Sequence, residues 1–408
     1  MSAPPVWQSR GLRIFLIAAL VSNIGNWMQI FTEQWLTLTL AGGEAARWGG
    51  RLTFASGLAT LVFIPLGGWV ADHLDRPKAM AAAQLWLMGL AAAMALLAQK
   101  GWLGLHGLVF FALASGFGGA LAMTLGHSLV ADLAGPEQAP AAMGLMGAQF
   151  NLSRILGPTV AALLFPIFGA AGNFALNALT FLPLVWVATR MRVARAKGAE
   201  DSGEGRSYRE GWAAIRAHGG LRRIVALSLV AGLFAWGYFA LLPVYGARLL
   251  GLGERGVAGL LSAFGAGAVG GGLLVARSQG QGDRLRGATL AFGAAGLCLI
   301  LLGAFPHPRV APAIFFTMGL LQALFAATLS GLVMTWAPPA LRGRINAVYL
   351  VAIIGVTPFG NLAAGETAQA LGPAGPRWVL GGEGLVLILT ALLALAGRRR
   401  DPDVQPSA

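Results

Sequence analysis

The sequence predicts an all-α polytopic membrane protein with 12 transmembrane helices in two six-helix bundles, and three observations support this fold class. Hydrophobic residues make up 56% of the 408 residues, charged residues only 11%, and the mean hydropathy is +0.69. Four long stretches, 79–99, 101–131, 155–189 and 310–341, contain no Asp, Glu, Lys or Arg. Each is long enough to cross a hydrocarbon core, which takes about 20 apolar residues. One long polar stretch, 192–220, divides the chain into halves of similar length.

Apolar runs separated by turn and charge signals place the twelve helices in order. In the first half they are 12–40, 48–71, 79–99, 103–130, 138–166 and 171–190, and in the second half 222–247, 256–277, 286–305, 310–336, 343–370 and 376–397. Residues 1–191 then form the first bundle, 192–220 a cytoplasmic linker and 221–408 the second bundle. A shift of 203 residues superposes Gly116 on Gly319 and Gly157 on Gly360, which indicates an internal repeat.

The second part of the linker has its own pattern. Tyr208, Trp212 and Ile215 recur at helical spacing in the segment 207–216. This spacing predicts a short amphipathic helix on the inner membrane surface. A solvated tether is the alternative.

The distribution of positive charge predicts the orientation. With a cytoplasmic N-terminus, 21 of the 29 Lys and Arg residues fall in inner loops and tails, seven fall outside and Arg154 lies within a span. Because inner loops of membrane proteins are enriched in Lys and Arg, both termini are expected in the cytoplasm. The net charge of +13 is then explained by topology and anionic lipid, so no nucleic-acid partner is expected.

Composition and motifs also argue against cofactor chemistry. The single cysteine, Cys298, lies in an apolar run, and the five histidines have no metal-ligand spacing. No glycine-rich phosphate loop is present in the sequence. Asp72 and Asp75 resemble one acidic pair of an intramembrane prenyl transferase, but such sites need a second pair to hold magnesium. We therefore expect no metal and no cofactor, and a protein that is not an enzyme.

The loop after the second helix carries a more specific signal. Residues 68–78 read Gly-Trp-Val-Ala-Asp-His-Leu-Asp-Arg-Pro-Lys. This segment resembles the loop motif of the major facilitator superfamily, in particular the exporter branch that includes the enterobactin exporter. His73 stands where an arginine is usual, and Pro77 replaces a basic residue. The resemblance implies a cytoplasmic gate made of Gly68, Asp72, Arg76 and Lys78, in which Asp72 holds the inner side closed. A surface ion pair that only orients the loop is the alternative.

A second resemblance lies in the fifth helix. Gly144, Ser153, Gly157 and Pro158 follow the spacing of the fifth-helix motif of proton-coupled exporters, with small residues in place of three glycines. The Gly-Pro pair is expected to loosen this helix and to permit close packing against the eighth helix.

Polar residues within the spans give the candidate transport sites. Ser22, Asn26, Gln29 and Glu33 share one face of the first helix, which we expect to border a wet cavity. Burial favours the neutral form of a carboxyl, so Glu33 is the leading proton-coupling candidate. Its depth in the outer half of the span also allows a rim position.

An arginine inside a span needs a partner. We expect Arg154 to pair with Glu33 or with Glu366, which makes all three residues proton-coupling candidates. Glu383 is not included, because its helix is peripheral in the fold that the resemblance implies. The same fold implies a substrate cavity with Asn26, Gln29, Trp236, Tyr238 and Gln322 among its lining residues.

These features predict a secondary active transporter of the cell membrane, with a bacterial cytoplasmic membrane as the expected location. The expected substrate is an amphipathic small molecule, siderophore-like or drug-like, exported by proton antiport with alternating access. The protein is expected to act as a monomer in the lipid bilayer. A uniporter or importer of a small metabolite and a non-transporting membrane receptor or scaffold are the alternatives.

Overall fold

A computed structural model of the chain describes residues 9–191, 208–277 and 283–397, and these residues are almost entirely helical. The helices of the first half are α1 (Arg10–Ala41), α2 (Ala45–His73), α3 (Arg76–Gln99), α4 (Leu105–Ala134), α5 (Ala139–Thr180) and α6 (Leu182–Arg190). Those of the second half are α7 (Tyr208–Ala217), α8 (Gly219–Phe234), α9 (Tyr238–Val244), α10 (Glu254–Arg277), α11 (Arg284–Ala304), α12 (Ala311–Trp336), α13 (Arg342–Leu350), α14 (Thr357–Ala370) and α15 (Gly375–Gly397). The predicted all-α fold is confirmed.

Ten continuous helical segments within the described ranges are long and apolar enough to cross a membrane. Two of them, Arg10–His73 with 64 residues and Ala139–Arg190 with 52, each contain two of the predicted spans. A 3₁₀ turn, Gly42–Glu44, separates the first pair. The second pair is separated by Gly169, whose φ of 63° and ψ of −167° interrupt α5. A positive φ is available to glycine at little cost, so the chain turns here without a loop.

Side chains cap the helices at the ends of the spans. The hydroxyl of Ser9 accepts a hydrogen bond from the backbone N–H of Leu12, and the carboxylate of Asp75 accepts one from Lys78. Asp283 does the same for Arg286 at the start of α11. In lipid every backbone group needs an internal partner, which is why these polar residues lie where each helix begins.

The chain divides into two compact units, residues 1–200 with 253–262, and residues 201–252 with 263–408. In the first unit α1 packs against α5 and α2 packs against α4. In the second unit α11 packs against both α15 and α12. Residues 192–207 of the predicted linker lie outside the described residues. Its second part forms α7, as the spacing of Tyr208, Trp212 and Ile215 predicted, and Glu210 of α7 pairs with Arg344 at 3.2 Å.

Two predicted spans of the second half are interrupted, which the sequence interpretation did not anticipate. The predicted helix 222–247 consists of α8, a bend at 235–237, α9 and a π-helical turn, Tyr245–Leu249. The predicted helix 343–370 consists of α13, a π-helical turn at Val351–Gly355, and α14. Pro243 and Pro358 each remove one backbone donor from these ladders.

The interrupted helices approach each other closely within the second unit. A Cβ added at Gly232 would lie 2.6 Å from the carbonyl oxygen of Ala352, and one at Gly360 would overlap the carbonyl oxygen of Leu233. These glycines therefore set the distance between α8 and the α13–α14 segment. Breaks in membrane helices persist where protein supplies the missing contacts.

Candidate functional site

A network of buried polar side chains crosses the interior of the first unit and centres on Gln29. The Gln29 side-chain amide donates to Oε1 of Glu33 at 2.7 Å and to the hydroxyl of Ser115 on α4 at 3.3 Å. Its own carbonyl oxygen accepts a hydrogen bond from Asn177 at 2.6 Å. Gln29 is 7% exposed and Glu33 5% exposed. A directed chain of hydrogen bonds thus runs from Asn177 through Gln29 to the carboxyl of Glu33.

The sixth span supplies two asparagines that the sequence interpretation did not single out. Asn173 donates to the hydroxyl of Thr32 and to the carbonyl oxygen of Ala161, both at 3.0 Å, and it is fully buried, as is Asn177. A Cβ at Gly25 would collide with Asn177 and Thr180, so glycine at this position permits the approach. The available signal was two asparagines one helical turn apart within an apolar span.

Neighbouring helices of the first unit cover most of the polar face of α1. Ser22, 2% exposed, donates to Gln84 of α3 at 2.9 Å, and Asn23 donates to Gln149 of α5 at 3.3 Å. Only Asn26 of the predicted face is half-buried. The expected wet surface is instead a hydrogen-bonded layer between helices. Amphipathicity predicted a distinct face correctly but not what covers it.

Arg154 and Glu366 are half-buried, on α5 and α14 respectively. Both take part in polar or electrostatic interactions. The Glu33 carboxyl accepts a hydrogen bond from Gln29. That bond comes from one turn away on the same helix, and the pairing of Arg154 with Glu33 or Glu366 stays a prediction.

The loop after α2 contains an ion pair that the motif alone did not reveal. Arg76 donates to Oδ2 of Asp132 on α4 at 2.6 Å and to the carbonyl oxygen of Ala71 at 2.7 Å. The Asp132 side chain is 8% exposed, whereas that of Asp72 is 66% exposed and lies 4.0 Å from Arg76. Arg76 thus ties the loop to α4, and within the first unit Asp72 adds little to this contact.

The other members of the loop motif have different surroundings. Lys78 has an exposed side chain 4.0 Å from Asp75, a weak pairing. The glycine that permits close packing is Gly67 and not Gly68. A Cβ at Gly67 would lie 2.8 Å from the Thr124 hydroxyl, while one at Gly68 would meet no atom within 4 Å. The motif implied a role for Gly68 in the gate, whereas the close approach lies at the neighbouring Gly67, about 100° around the helix.

Replacing Asp132 with Asn is expected to destabilise the protein far more than replacing Asp72 with Asn. Removing the partner of a largely buried arginine costs roughly 3 kcal/mol, whereas an exposed pair contributes about 0–1 kcal/mol. Thermal unfolding of the two purified variants in detergent measures the difference. Equal melting temperatures would show that the Arg76–Asp132 pair does not stabilise this loop.

The fifth-helix motif packs mainly against the first helix. A Cβ at Gly157 would collide with Trp27 and lie 2.8 Å from the carbonyl oxygen of Ile24. Ser153 is buried, with its hydroxyl 2.7 Å from the carbonyl oxygen of Phe150. Pro158 is buried next to Gly157, and Gly144 meets no atom within 4 Å of an added Cβ. Gly157 itself therefore packs against α1.

A hydroxyl pair joins the same helix to the start of α10 inside the first unit. The hydroxyls of Thr159 and Ser262 are 2.6 Å apart, and Ser262 also donates to the carbonyl oxygen of Ile155 at 3.3 Å. The contact between the fifth and eighth spans is thus polar, and Thr159 directly follows the Gly-Pro pair.

The predicted cavity residues of the second unit gather at the bend between α8 and α9. Trp236 is half-buried and stacks on Tyr238 and Phe239, with ring centroids 6.5 and 5.8 Å away. Phe264 of α10 meets all three rings. Gln322 is buried and donates a hydrogen bond to the carbonyl oxygen of Ala235 at 2.9 Å. Because the chain bends here, this oxygen has lost its helical partner, and Gln322 replaces it. A cleft of about one water molecule in volume, ≈ 10 Å³, lies between Trp236 and Gln322.

Glu383 is the buried acid that the sequence interpretation set aside. It is 7% exposed on α15, and its carboxyl lies against Gly237 at the bend. Its helix was taken to be peripheral, yet this face of α15 points into the second unit. An isolated acid in an apolar run was the available signal.

Solved structures of transporters share this fold. A bacterial homologue of the human lysosomal transporter Spinster has a TM-score of 0.76 at 16% identity, with 100% of both chains covered. The nucleoside transporter NupG has a TM-score of 0.76 at 12% identity, covering 95% of this chain and 98% of its own. A D-xylose–proton symporter has a TM-score of 0.70 at 14% identity, covering 93% and 97%. None of the curated proteins compared with this sequence matches it.

The fold shared with these transporters, together with a family-model match over nearly the whole chain, defines a membrane transporter of the major facilitator type rather than an enzyme. The chain belongs to the family described as transmembrane secretion effector, whose model matches residues 3–407.

Proposed function

We propose that this protein exports an amphipathic small molecule from the cytoplasm in exchange for protons, by alternating access. The observation that carries the proposal is the carboxyl of Glu33, buried in the first unit at the end of a hydrogen-bond chain. The family description, transmembrane secretion effector, favours outward transport. Among proteins of this fold, the D-xylose–proton symporter couples transport to protons, as its name states.

Glu33 is suited to carry the coupling proton because its surroundings distinguish the two protonation states. One amide donor, that of Gln29, reaches its carboxyl at 2.7 Å. A neutral carboxyl is accommodated by that contact, whereas a buried carboxylate with no cation beside it costs several kcal/mol. Loss of the proton therefore favours a conformation that admits water or a cation to this site. Arg154 and Glu366 remain candidates for residues that take part in proton coupling.

The aromatic cluster at the bend in the second unit favours a substrate with an apolar body. Within the second unit Trp236 and Phe239 are half-buried and offer ring faces, whereas Tyr238 is buried, and Gln322 is the nearby hydrogen-bonding side chain. A sugar has more hydroxyl groups than these side chains can satisfy. An amphipathic siderophore-like or drug-like molecule matches this balance better.

The loop motif completes the mechanism that we propose. Both termini are cytoplasmic, which places Gly68, Asp72, Arg76 and Lys78 on the inner side of the membrane. The exposed carboxylate of Asp72 is available for a contact that forms and breaks during transport, while the Arg76–Asp132 pair keeps the loop in place. The protein works as a monomer in a bacterial cytoplasmic membrane.

Proton-driven uptake into inverted membrane vesicles tests export directly. An acridine dye reports the proton gradient, and ethidium and a metal-free catecholate siderophore serve as substrates. We expect uptake that requires the gradient and a release of protons when substrate is added. Uptake that persists after the gradient is collapsed would instead indicate a uniporter, and substrate-driven proton movement in the opposite sense would indicate a proton-coupled importer.

A further inference from the structure

Glu383 occupies a setting in the second unit that its position on the last span does not suggest. The side chain is 7% exposed, and its Oε2 is buried with no hydrogen-bond partner among the described residues. Proteins rarely leave a buried polar atom without a partner, and an intramembrane carboxyl without one is usually functional. The proposal made above for Glu33 does not use this group.

The carboxyl of Glu383 lies on the bend between α8 and α9. A Cβ added at Gly237 would overlap Oε1 of Glu383 and would lie 2.9 Å from its Cδ and 3.0 Å from the Cβ of Ala364. Glycine at 237 therefore leaves the space that the carboxyl fills. The carboxyl thus contacts the backbone at the point where the seventh span departs from helical geometry.

The bend has released backbone groups and a nearby polar residue. Gln322 of α12 donates to the carbonyl oxygen of Ala235 at 2.9 Å. Asn361 of α14 is 8% exposed, and its Oδ1 also has no hydrogen-bond partner among the described residues. Asn361 lies one helical turn before Ala364, which borders the carboxyl. Two acceptor oxygens without donors therefore lie on the helices that enclose the bend.

Charged and titratable groups on the surrounding elements do not neutralise Glu383. The helices that pack against α15 are α8, α9, α11 and α14. Their ionisable residues, with those of the π-helical turn after α9 and of α15 itself, are Arg222, Arg223, Tyr238, Tyr245, Arg248, Arg284, Arg286, Cys298, Glu366 and Arg377. Arg377 donates to the carbonyl oxygens of Gly303 and Ala304, and Tyr245 to that of Leu302. No ion pair within 4.0 Å joins Glu383 to any described residue.

Distance along the helices explains why Arg286 and Arg223 do not reach it. Gly384 packs against Gly296 of α11, which fixes the depth of the carboxyl. Arg286 lies ten residues before Gly296, about 15 Å along the helix axis, and Arg223 lies about 20 Å before Gly237. A carboxylate here would have neither a cation nor a donor.

We propose that Glu383 is a second exchangeable proton site, and that the α8–α9 bend closes on the neutral carboxyl and opens when the proton leaves. This inference rests on the proposed proton-coupled transport. In the step itself the O–H bond of the carboxylic acid breaks, the proton passes to water, and the carboxylate keeps the electron pair. The charged form then needs water, which the bend admits because its backbone is already detached from the helical ladder. The ligand of this site is a proton. Because Trp236, Tyr238 and Phe239 lie at the same bend, its opening also moves this aromatic cluster.

Infrared titration of the full-length protein in lipid vesicles tests the site without a transport substrate. We expect a C=O band of protonated carboxyls that disappears as the pH is raised, and one component of this band should be missing from Glu383→Gln, while the component of Glu33 remains. The band must persist in Glu44→Gln, which alters an exposed carboxyl, and a component must persist in Glu33→Gln. Spectra of Glu383→Gln that superpose on those of the wild type would overturn the proposal. If Glu383→Gln cannot be purified, Gly237→Ala provides the test, because its methyl group displaces the carboxyl and must shift the band.

A thiol reporter tests the link between the proton and the bend. Trp236→Cys is placed in a Cys298→Ser background and labelled with a water-soluble maleimide at one alkaline pH, with and without Glu383→Gln. The uncharged glutamine is expected to keep the bend closed and to lower the labelling rate severalfold. Equal rates would overturn the coupling to the bend. Proton-driven uptake that is unchanged in Glu383→Gln would also overturn this inference while leaving the proposed function intact. A wild type without proton-driven uptake would refute the proposed function, and the infrared titration would then decide separately whether Glu383 exchanges a proton.

Discussion

Replacing Glu33 with Gln is expected to reduce proton-driven uptake in inverted vesicles to the level of vesicles without the protein. Glutamine has nearly the same shape and retains the carbonyl oxygen that accepts the hydrogen bond from Gln29. It has no titratable proton, so the variant keeps the hydrogen bond with Gln29 but cannot exchange a proton. The measurement is the initial rate of gradient-dependent uptake, normalised to the amount of folded protein.

The matched control for this experiment is Glu44→Gln. Glu44 lies on the exposed turn between α1 and α2 and pairs with Arg47 at a side-chain exposure of 54%. Its replacement should leave uptake unchanged. Substrate exchange in the absence of a gradient should survive in Glu33→Gln, because it requires access but no proton transfer. Gradient-driven uptake at the wild-type rate in Glu33→Gln would exclude Glu33 as the coupling residue, and loss of both activities would assign it a structural role.

Replacing Gly157 with Leu is expected to prevent the first unit from folding correctly. A Cβ alone would collide with Trp27, and it would lie 2.8 Å from the carbonyl oxygen of Ile24 and 3.0 Å from the backbone nitrogen of Met28. Overpacking usually lowers the free energy of unfolding by about 1–3 kcal/mol. We expect a loss of about 3 kcal/mol or more here, because the backbone atoms of α1 cannot move aside as a side chain can. The melting temperature measured in detergent should fall by roughly 10 °C, if folded protein is recovered at all.

The same substitution at Gly144 serves as the control. Gly144 belongs to the same helix, and an added Cβ there meets no atom within 4 Å. Gly144→Leu should therefore melt close to the wild type, even though both glycines belong to one sequence motif. A similar loss of stability in both variants would mean that the helix α5, and not its contact with α1, is sensitive to larger side chains.

Gly157 and Arg76 show what a sequence motif predicts and what it does not. The spacing of Gly157 and Pro158 marked a point of close helix packing, and the structure shows such a point, but the partner is α1. Similarly, Arg76 was expected to act with Asp72, whereas its short contact is with Asp132, 56 residues further along the chain. Sequence spacing reports neighbours on one helix, and neighbours on different helices depend on packing that no local pattern contains.

For Glu383 the sequence suggested too little rather than too much. Its position on the last span suggested a peripheral location, yet its carboxyl lies on Gly237, which is remote in sequence. The break in the seventh span that receives it was also predicted as a continuous helix. Glycine and proline marked possible interruptions along the sequence, but whether a helix bends depends on whether neighbours supply the missing contacts.

The sequence by itself determined that this chain is a polytopic helical membrane protein with spans close to those observed. Long uncharged segments are stable only in lipid, and in lipid the backbone must form helices, so composition and length suffice for this conclusion. It also identified several of the polar residues within the spans, Glu33 and Gln29 among them. Tertiary structure decided which of them meet: Gln29 with Glu33 and Asn177, Arg76 with Asp132, and Glu383 with the bend at Gly237. Such contacts join helices far apart in the chain, and their geometry follows from the packing of small residues that the sequence contains in many equivalent positions.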